Sequence, residues 1–234
     1  DKLFWIGGST TLESLPPSSE AEKLAAMIDH TMLKPYLAAP DDIEKICKEA
    51  RQYGFAMVAV NPAQVKKCCQ LLRGSNVQVG ATVGFPLGQT TSAVKAYETR
   101  DAIRCGATEI DMVMNVYELQ SENYDLVQSE IEEVVQICHE AGILCKIILE
   151  TCYLTTFQKI KACEICREAG ADFVKTSTGF GPSGATVEDV KLMRQTVGDA
   201  VGVKASGGIR DLQTAKALLA AGASRLGTSN GVAI

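Results

Sequence analysis

Histidine is scarce in this chain. His30 and His139 are the only two in 234 residues. A Ser–His–Asp triad or a histidine-rich metal centre therefore has little to be built from. A basic excess is also missing: 23 Lys and Arg stand against 28 Asp and Glu, for a net charge of −5. That balance argues against a nucleic-acid partner, which calls for a basic stripe. No apolar run approaches the roughly 18 residues of a membrane span, and residues 1–11 lack the basic start and apolar centre of a signal peptide. No strand pattern is followed by G-x-G-x-x-G, so the simple dinucleotide site is absent. The nine cysteines are an odd number. In a chain long enough to build a core without covalent staples they read as reduced thiols of a cytosolic protein. Cys163 and Cys166 form a C-x-x-C, but they fall in a helical pattern with no second pair at zinc spacing, and read as core. Cys68-Cys69 has no evident role, and His139, late in a helix, reads as a surface residue. Asp1 is not a natural start, which leaves room for residues before it.

What is present is a regular alternation. Apolar strand patterns cover Met27–Thr31, Phe55–Val60, Val77–Val83, Thr108–Met114, Ile143–Leu149, Ala171–Lys175, Val201–Lys204 and Arg225–Gly227. Helical patterns separate them, starting with a helix capped near Ser19 and continuing over Asp41–Tyr53, Asn61–Leu72, Thr91–Cys105, Asn123–Ala141, Thr156–Ala169, Val187–Val197 and Leu212–Ala221. A helix–Gly–Ala–strand junction recurs at Gly106-Ala107, Gly170-Ala171 and Gly222-Ala223, with glycine ending each helix. Near-continuous apolar strands suit a parallel sheet covered on both faces. The expectation is an α/β fold, a single-domain (β/α)8 TIM barrel over residues 19–234, preceded by an N-terminal extension over residues 1–18. A doubly wound open sheet is the alternative. Little chain remains after the eighth strand for an eighth outer helix, so the barrel either closes without one or that segment is missing.

Two strands share one design. Phe173-Val174-Lys175 runs into Thr176-Ser177-Thr178-Gly179, and Val201-Gly202-Val203-Lys204 runs into Ala205-Ser206-Gly207-Gly208. A lysine on a core strand is costly without a partner or a chemical role. A free lysine titrates near about 10.4, so it is rarely neutral at pH 7; a neighbouring ammonium and burial both lower that value. Lys175 beside Lys204 thus reads as one nucleophilic amine and one charge that tunes it, although each could instead be a buried structural ion. Asp29, Asp111 and Lys146 also lie in strands, from which they can converge on the barrel mouth. The loops after strands seven and eight, Ser206-Gly207-Gly208-Ile209-Arg210 and Gly227-Thr228-Ser229-Asn230, occupy the usual phosphate position of such a barrel, with Gly179 approaching from loop six.

Ile28-Asp29-His30-Thr31, Val83-Gly84-Phe85-Pro86-Leu87-Gly88, Glu109-Ile110-Asp111-Met112-Val113, Lys146-Ile147-Ile148-Leu149-Glu150-Thr151, Phe173 through Phe180 and Val203 through Arg210 together resemble the deoxyribose-phosphate aldolase family. The match runs in order from Asp29 to the C-terminus. The resemblance implies a metal-free, cofactor-free class I aldolase of deoxyribonucleotide catabolism. It would cleave 2-deoxy-D-ribose 5-phosphate to D-glyceraldehyde 3-phosphate and acetaldehyde. It implies a Schiff base on Lys175, a second lysine at Lys204, proton-relay carboxylates at Asp111 and Asp29, and substrate contacts from Thr31 and Lys146. It places the phosphate against Gly179, Gly207, Gly208, Gly227 and Ser229, with Ser206 among the substrate-binding residues. Asn230 stands where some relatives have serine. A cytoplasmic protein is expected, with a sugar phosphate as its small-molecule partner; a homodimer or larger homo-oligomer is left open. Another Schiff-base aldolase acting on a keto sugar phosphate, or a non-catalytic sugar-phosphate-binding barrel, remains an alternative.

Overall fold

The structure is a computed structural model that describes residues 19–34, 39 and 41–234. The extension expected over residues 1–18 lies outside these. The apolar runs form eight strands: β1 (Ile28–Met32), β2 (Met57–Val60), β3 (Gln78–Val83), β4 (Glu109–Val113), β5 (Leu144–Ile148), β6 (Phe173–Lys175), β7 (Gly202–Ser206) and β8 (Arg225–Thr228). Each pairs in parallel with the next, and β8 pairs with β1. That last pairing leaves no sheet edge, so the open doubly wound sheet is ruled out and the (β/α)8 barrel stands.

The helices are α1 (Glu20–Ala25), α2 (Asp42–Tyr53), α3 (Pro62–Leu71), α4 (Ser92–Arg104), α5 (Val116–Gln120), α6 (Tyr124–Glu140), α7 (Thr156–Glu168), α8 (Val187–Val197) and α9 (Leu212–Ala220). Their limits follow from local chemistry. Ser19 with Glu22, and Thr155 with Gln158, close reciprocal capping boxes. Pro62 opens α3, where its missing N–H costs nothing. Gly54 ends α2 at φ 70°, a left-handed turn that suits glycine. Helix α5 has no counterpart in the sequence pattern. Five residues are too few to show a period, and the helix rests on the Asn115 side chain, which accepts a hydrogen bond from Glu118 N–H.

Alternation along each strand divides two chemistries. One set, including Val58, Ile110, Ile147, Val174 and Val203, packs outward against the helices, where Ile131, Val134, Cys163 and Cys166 meet it. The other set faces the barrel interior and includes Asp29, Asp111, Lys146, Lys175 and Lys204. β6 is shorter than its sequence pattern because Ala171 N–H is tied back to Cys166 O at the end of α7. β7 is longer and runs two residues past Lys204. Lys204 is therefore in mid-strand, directly paired in register with Lys175. His30 faces away from the interior set, with Nε2 2.7 Å from Glu49 Oε2, and His139 is exposed beside Asp172. After β8, a short 3-10 turn over Gly231–Ala233 follows, with no further α-helix among the described residues.

Candidate active site

Five of the residues singled out in the sequence meet inside the barrel. Lys175 Nζ and Lys204 Nζ both donate to a single oxygen, Asp111 Oδ2, each at 2.7 Å. Lys146 Nζ donates to the other oxygen, Asp111 Oδ1, at 2.9 Å. Lys204 Nζ also lies 2.5 Å from Asp29 Oδ2. All five are at most 2% exposed.

Two further residues complete the group, and the sequence pattern assigned neither. Arg225 donates from Nε and Nη2 to Asp29 Oδ1 at 2.8 and 2.6 Å, and from Nη2 to both oxygens of Glu109 at 3.1 and 3.2 Å. Glu109 in turn closes on Lys146. The result is a ring of alternating charge: Asp111, Lys146, Glu109, Arg225, Asp29, Lys204 and back to Asp111. Each of its three cations bridges two carboxylates. Lys175 hangs from the ring on Asp111 alone.

The electrostatics follow from that arrangement. Burial pushes Lys175 down; the Asp111 carboxylate opposes this, and the repulsion of Lys204 and Lys146 adds to it, leaving the amine at about 8. Burial therefore lowers Lys175 more than the Lys204 charge does. Burial would also lower Lys146, but Asp111, Glu109 and Asp29 outweigh it and hold that ammonium above the ordinary lysine value. For Asp111, burial works toward protonation and is overcome by Lys146, Lys175 and Lys204, so the carboxyl lies well below its usual range. Asp29 is likewise held low against burial by Lys204, Lys146 and Arg225.

Above the ring a cavity of about 310 Å³ opens at the C-terminal ends of the strands. Lys175 lines it; Lys204, Lys146, Asp111 and Asp29 lie beneath it. Thr31, Gly179, Ser206, Gly207, Gly208, Gly227 and Ser229 all line this cavity, as do Lys34 and Arg210. Gly179, Gly207 and Gly208 stand at φ 86°, 84° and 79°, conformations that a side chain resists. Gly227 also makes room for the Lys204 stem, since a Cβ there would come within 2.9 Å of Ser206 Cβ and 3.1 Å of Lys204 Cε. The Ser206 hydroxyl is donated inward to Ser177 O at 2.6 Å, while Thr31 donates its own to Asp29 O. The loop after β6 is fastened by Glu150, a buried residue at φ 54°, whose carboxylate accepts from Thr178 N–H at 3.1 Å and from the Thr178 hydroxyl.

A family model described as "DeoC/LacD family aldolase" matches residues 23–234. The chain belongs to this family. It is 62% identical to a deoxyribose-phosphate aldolase of Bacteroides thetaiotaomicron over 213 residues, spanning 91% of this chain and 89% of that protein. A protein of the same name from Thermoanaerobacter pseudethanolicus is 58% identical over 90% of this chain and 95% of its own length. Among solved structures, the tetrameric deoxyribose phosphate aldolase of Aeropyrum pernix superposes with a TM-score of 0.85 at 34% identity, covering 92% of this chain and 90% of that one. The chain is thus an aldolase, a carbon–carbon lyase on a TIM barrel. Among the described residues no three His, Cys, Asp or Glu side chains are grouped to hold a metal ion, and no helix is long and apolar enough to cross a membrane.

One signal for the missed pair was in the sequence. Glu109 precedes Asp111 by two, which puts both on the same face of β4. Arg225 sits at the start of an apolar strand, where a guanidinium needs a partner as much as Lys175 does.

Proposed function

We propose that this chain cleaves 2-deoxy-D-ribose 5-phosphate to D-glyceraldehyde 3-phosphate and acetaldehyde through a Schiff base on Lys175, without a metal. The observation that carries this is the placement of the three interior lysines. Of these, only Lys175 reaches the cavity, and it is the one with a single carboxylate partner and an amine held at about 8. Near neutral pH about a tenth of it is the free amine, far more than for an ordinary lysine.

The neutral amine attacks C1 of the open-chain aldehyde. Loss of water from the carbinolamine gives an iminium, which is the electron sink. The C3 hydroxyl gives up its proton to a water held against Asp111 and Lys204, and the C2–C3 bond breaks. Its electron pair moves into the iminium, leaving an enamine, and C3 departs as the aldehyde of glyceraldehyde 3-phosphate. Protonation of the enamine at C2 and hydrolysis of the imine release acetaldehyde and the free lysine. Asp29, behind Lys204, passes the proton onward. The phosphate end sits against the turns at Gly179, Gly207, Gly208 and Ser229, with Lys34 and Arg210 supplying positive charge at the mouth. Thr31 meets the sugar hydroxyls, and Lys146 acts from below through Asp111. Holding the phosphate places C1 against the amine, so binding at the far end serves orientation. A cytoplasmic location and a homo-oligomer belong to the same proposal; the tetramer named for the Aeropyrum pernix relative supports the oligomer.

The test is reductive trapping of 2-deoxy-D-ribose 5-phosphate on the protein with cyanoborohydride in excess chelator, read by peptide mass spectrometry. The expected result is one adduct on Lys175, undiminished turnover in chelator, and loss of both adduct and turnover in Lys175→Ala. An adduct on Lys146 or Lys204, or turnover restored only by added zinc, would overturn the proposal.

A further inference from the structure

The ring and the Lys175 ammonium together hold one cation too many. Around Lys175 stand Asp29 from β1, Glu109 and Asp111 from β4, Lys146 from β5, Lys204 from β7 and Arg225 from β8. The strands β2 and β3 contribute no charge; Met57 Sδ, 3.7 Å from Lys146 Nζ, and the Thr82 hydroxyl face inward there. With every lysine protonated, four cations oppose three carboxylates. The ring alone is three against three, so the whole group is balanced only when Lys175 is neutral. An unbalanced charge in a water-excluded interior is costly. The proton that leaves must come from the cation with the fewest partners, and every cation except Lys175 is held between two carboxylates.

We propose that Glu109 and Arg225 are positioning residues for the lysine chemistry: by fixing the ring at three charges of each sign, they make Lys175 the amine that gives up its proton. Neither touches Lys175 in the structure and neither lines the cavity. Glu109 opens β4 and Arg225 opens β8, at the end of the barrel away from the substrate. Arg225 keeps 14% of its side chain exposed there, and Glu109 3%. Their effect is exerted through the count of charges. The inference rests on Lys175 being the Schiff-base lysine and extends the control of that lysine to residues at the opposite end of the barrel.

The two residues should act with opposite sign. Arg225→Gln leaves three cations and three carboxylates when Lys175 is protonated, so the ammonium becomes the balanced form. The midpoint of the pH dependence of adduct formation should rise by about one pH unit, the scale on which a neighbouring charge acts. Glu109→Gln removes an anion, and the midpoint should fall by a similar amount. Arg225→Lys keeps the charge and should keep the wild-type midpoint. The double variant Glu109→Gln/Arg225→Gln restores the balance with Lys175 neutral, and because the two residues are in contact its midpoint should lie between those of the two single variants.

The experiment is the rate at which cyanoborohydride traps 2-deoxy-D-ribose 5-phosphate on the full chain across pH 6 to 10.5, with the modified residue identified each time. Circular dichroism at each pH restricts the comparison to folded protein. Where Glu109→Gln does not fold, the contrast between Arg225→Gln and Arg225→Lys decides alone. Midpoints that move in the same direction for both single variants, or that do not move while Lys175 is still the residue trapped, would overturn the charge count and leave the Schiff-base proposal standing. Absence of a Lys175 adduct in the wild type would instead overturn the Schiff-base proposal itself.

Discussion

Replacing Lys204 with leucine isolates what the second lysine does to the first. Both ammonium nitrogens lie 2.7 Å from Asp111 Oδ2, so they are within roughly 5.5 Å of each other. At an effective dielectric constant of about 20, their repulsion is on the order of 3 kcal/mol, or about two pH units. Solvent screening removes little of this, since the two side chains are 3% and 1% exposed. Lys204→Leu also leaves more of the Asp111 charge acting on Lys175. Both effects favour the Lys175 ammonium, so its midpoint should climb from about 8 to about 10. The neutral share at pH 7 then drops from about one in ten to about one in a thousand. Adduct formation at pH 7 should therefore slow by roughly a hundredfold and recover as the pH is raised toward 10.5. Turnover need not recover with it, because Lys204 also moves protons in the proposed mechanism. The assay is the trapping rate against pH, with the adduct mapped to Lys175. A midpoint that stays near 8, or falls, would refute the reasoning and leave burial and the Lys146 charge to account for the perturbed amine.

Ser229→Asp should place a carboxylate at the phosphate end of the cavity and raise KM for 2-deoxyribose 5-phosphate at least tenfold more than for free deoxyribose; equal effects on the two would remove Ser229 from the phosphate site. Lys175→Met should raise stability at pH 7. The folded-state value near 8 lies below the unfolded value near 10.4, so the wild type's penalty is full below about pH 8 and fades as the pH rises through about 10.4. The variant's advantage should approach about 3 kcal/mol at pH 7 and shrink to below about 1 kcal/mol by pH 10. Urea denaturation of both proteins across that range measures the gap, and a gap independent of pH would contradict the burial of a reluctant ammonium.

Much of this protein is legible from alternation alone. Apolar runs of three to seven residues, helices ended by glycine and short links require a parallel α/β fold, and β1 pairing with β8 closes it. Parity within strands also points to the site: Asp111, Lys146, Lys175 and Lys204 interrupt apolar strands, and an ionisable group there has to find a partner or a chemical role. What is not legible is where the partners come from. Lys204 meets Asp111 across 93 residues, and Arg225 meets Asp29 across 196. No local rule pairs residues at that separation. Strand ends differ from the apolar runs by one or two residues for a related reason, since a neighbouring strand's hydrogen bonds decide where pairing stops. β7 continues through Ser206 because β8 pairs with it up to Gly227.

The ring also explains a choice that the isolated motifs leave open. A lysine made reactive only by a second lysine would be a pair of like charges in a dry interior, and folding would oppose it strongly. Here three carboxylates support the folded state, and all three are taken by cations that each bind two of them. The repulsion on Lys175 is then bearable because its protonated form is only one charge in excess. The same carboxylate that Lys175 touches, Asp111, is shared with Lys204 and Lys146, so it cannot stabilise the Lys175 ammonium as a private partner would. Stability and reactivity are thus set by one arrangement. In the proposed mechanism the electron sink forms from the substrate's own carbonyl and a strand-anchored amine, and the charge balance of the barrel eases the loss of that amine's proton.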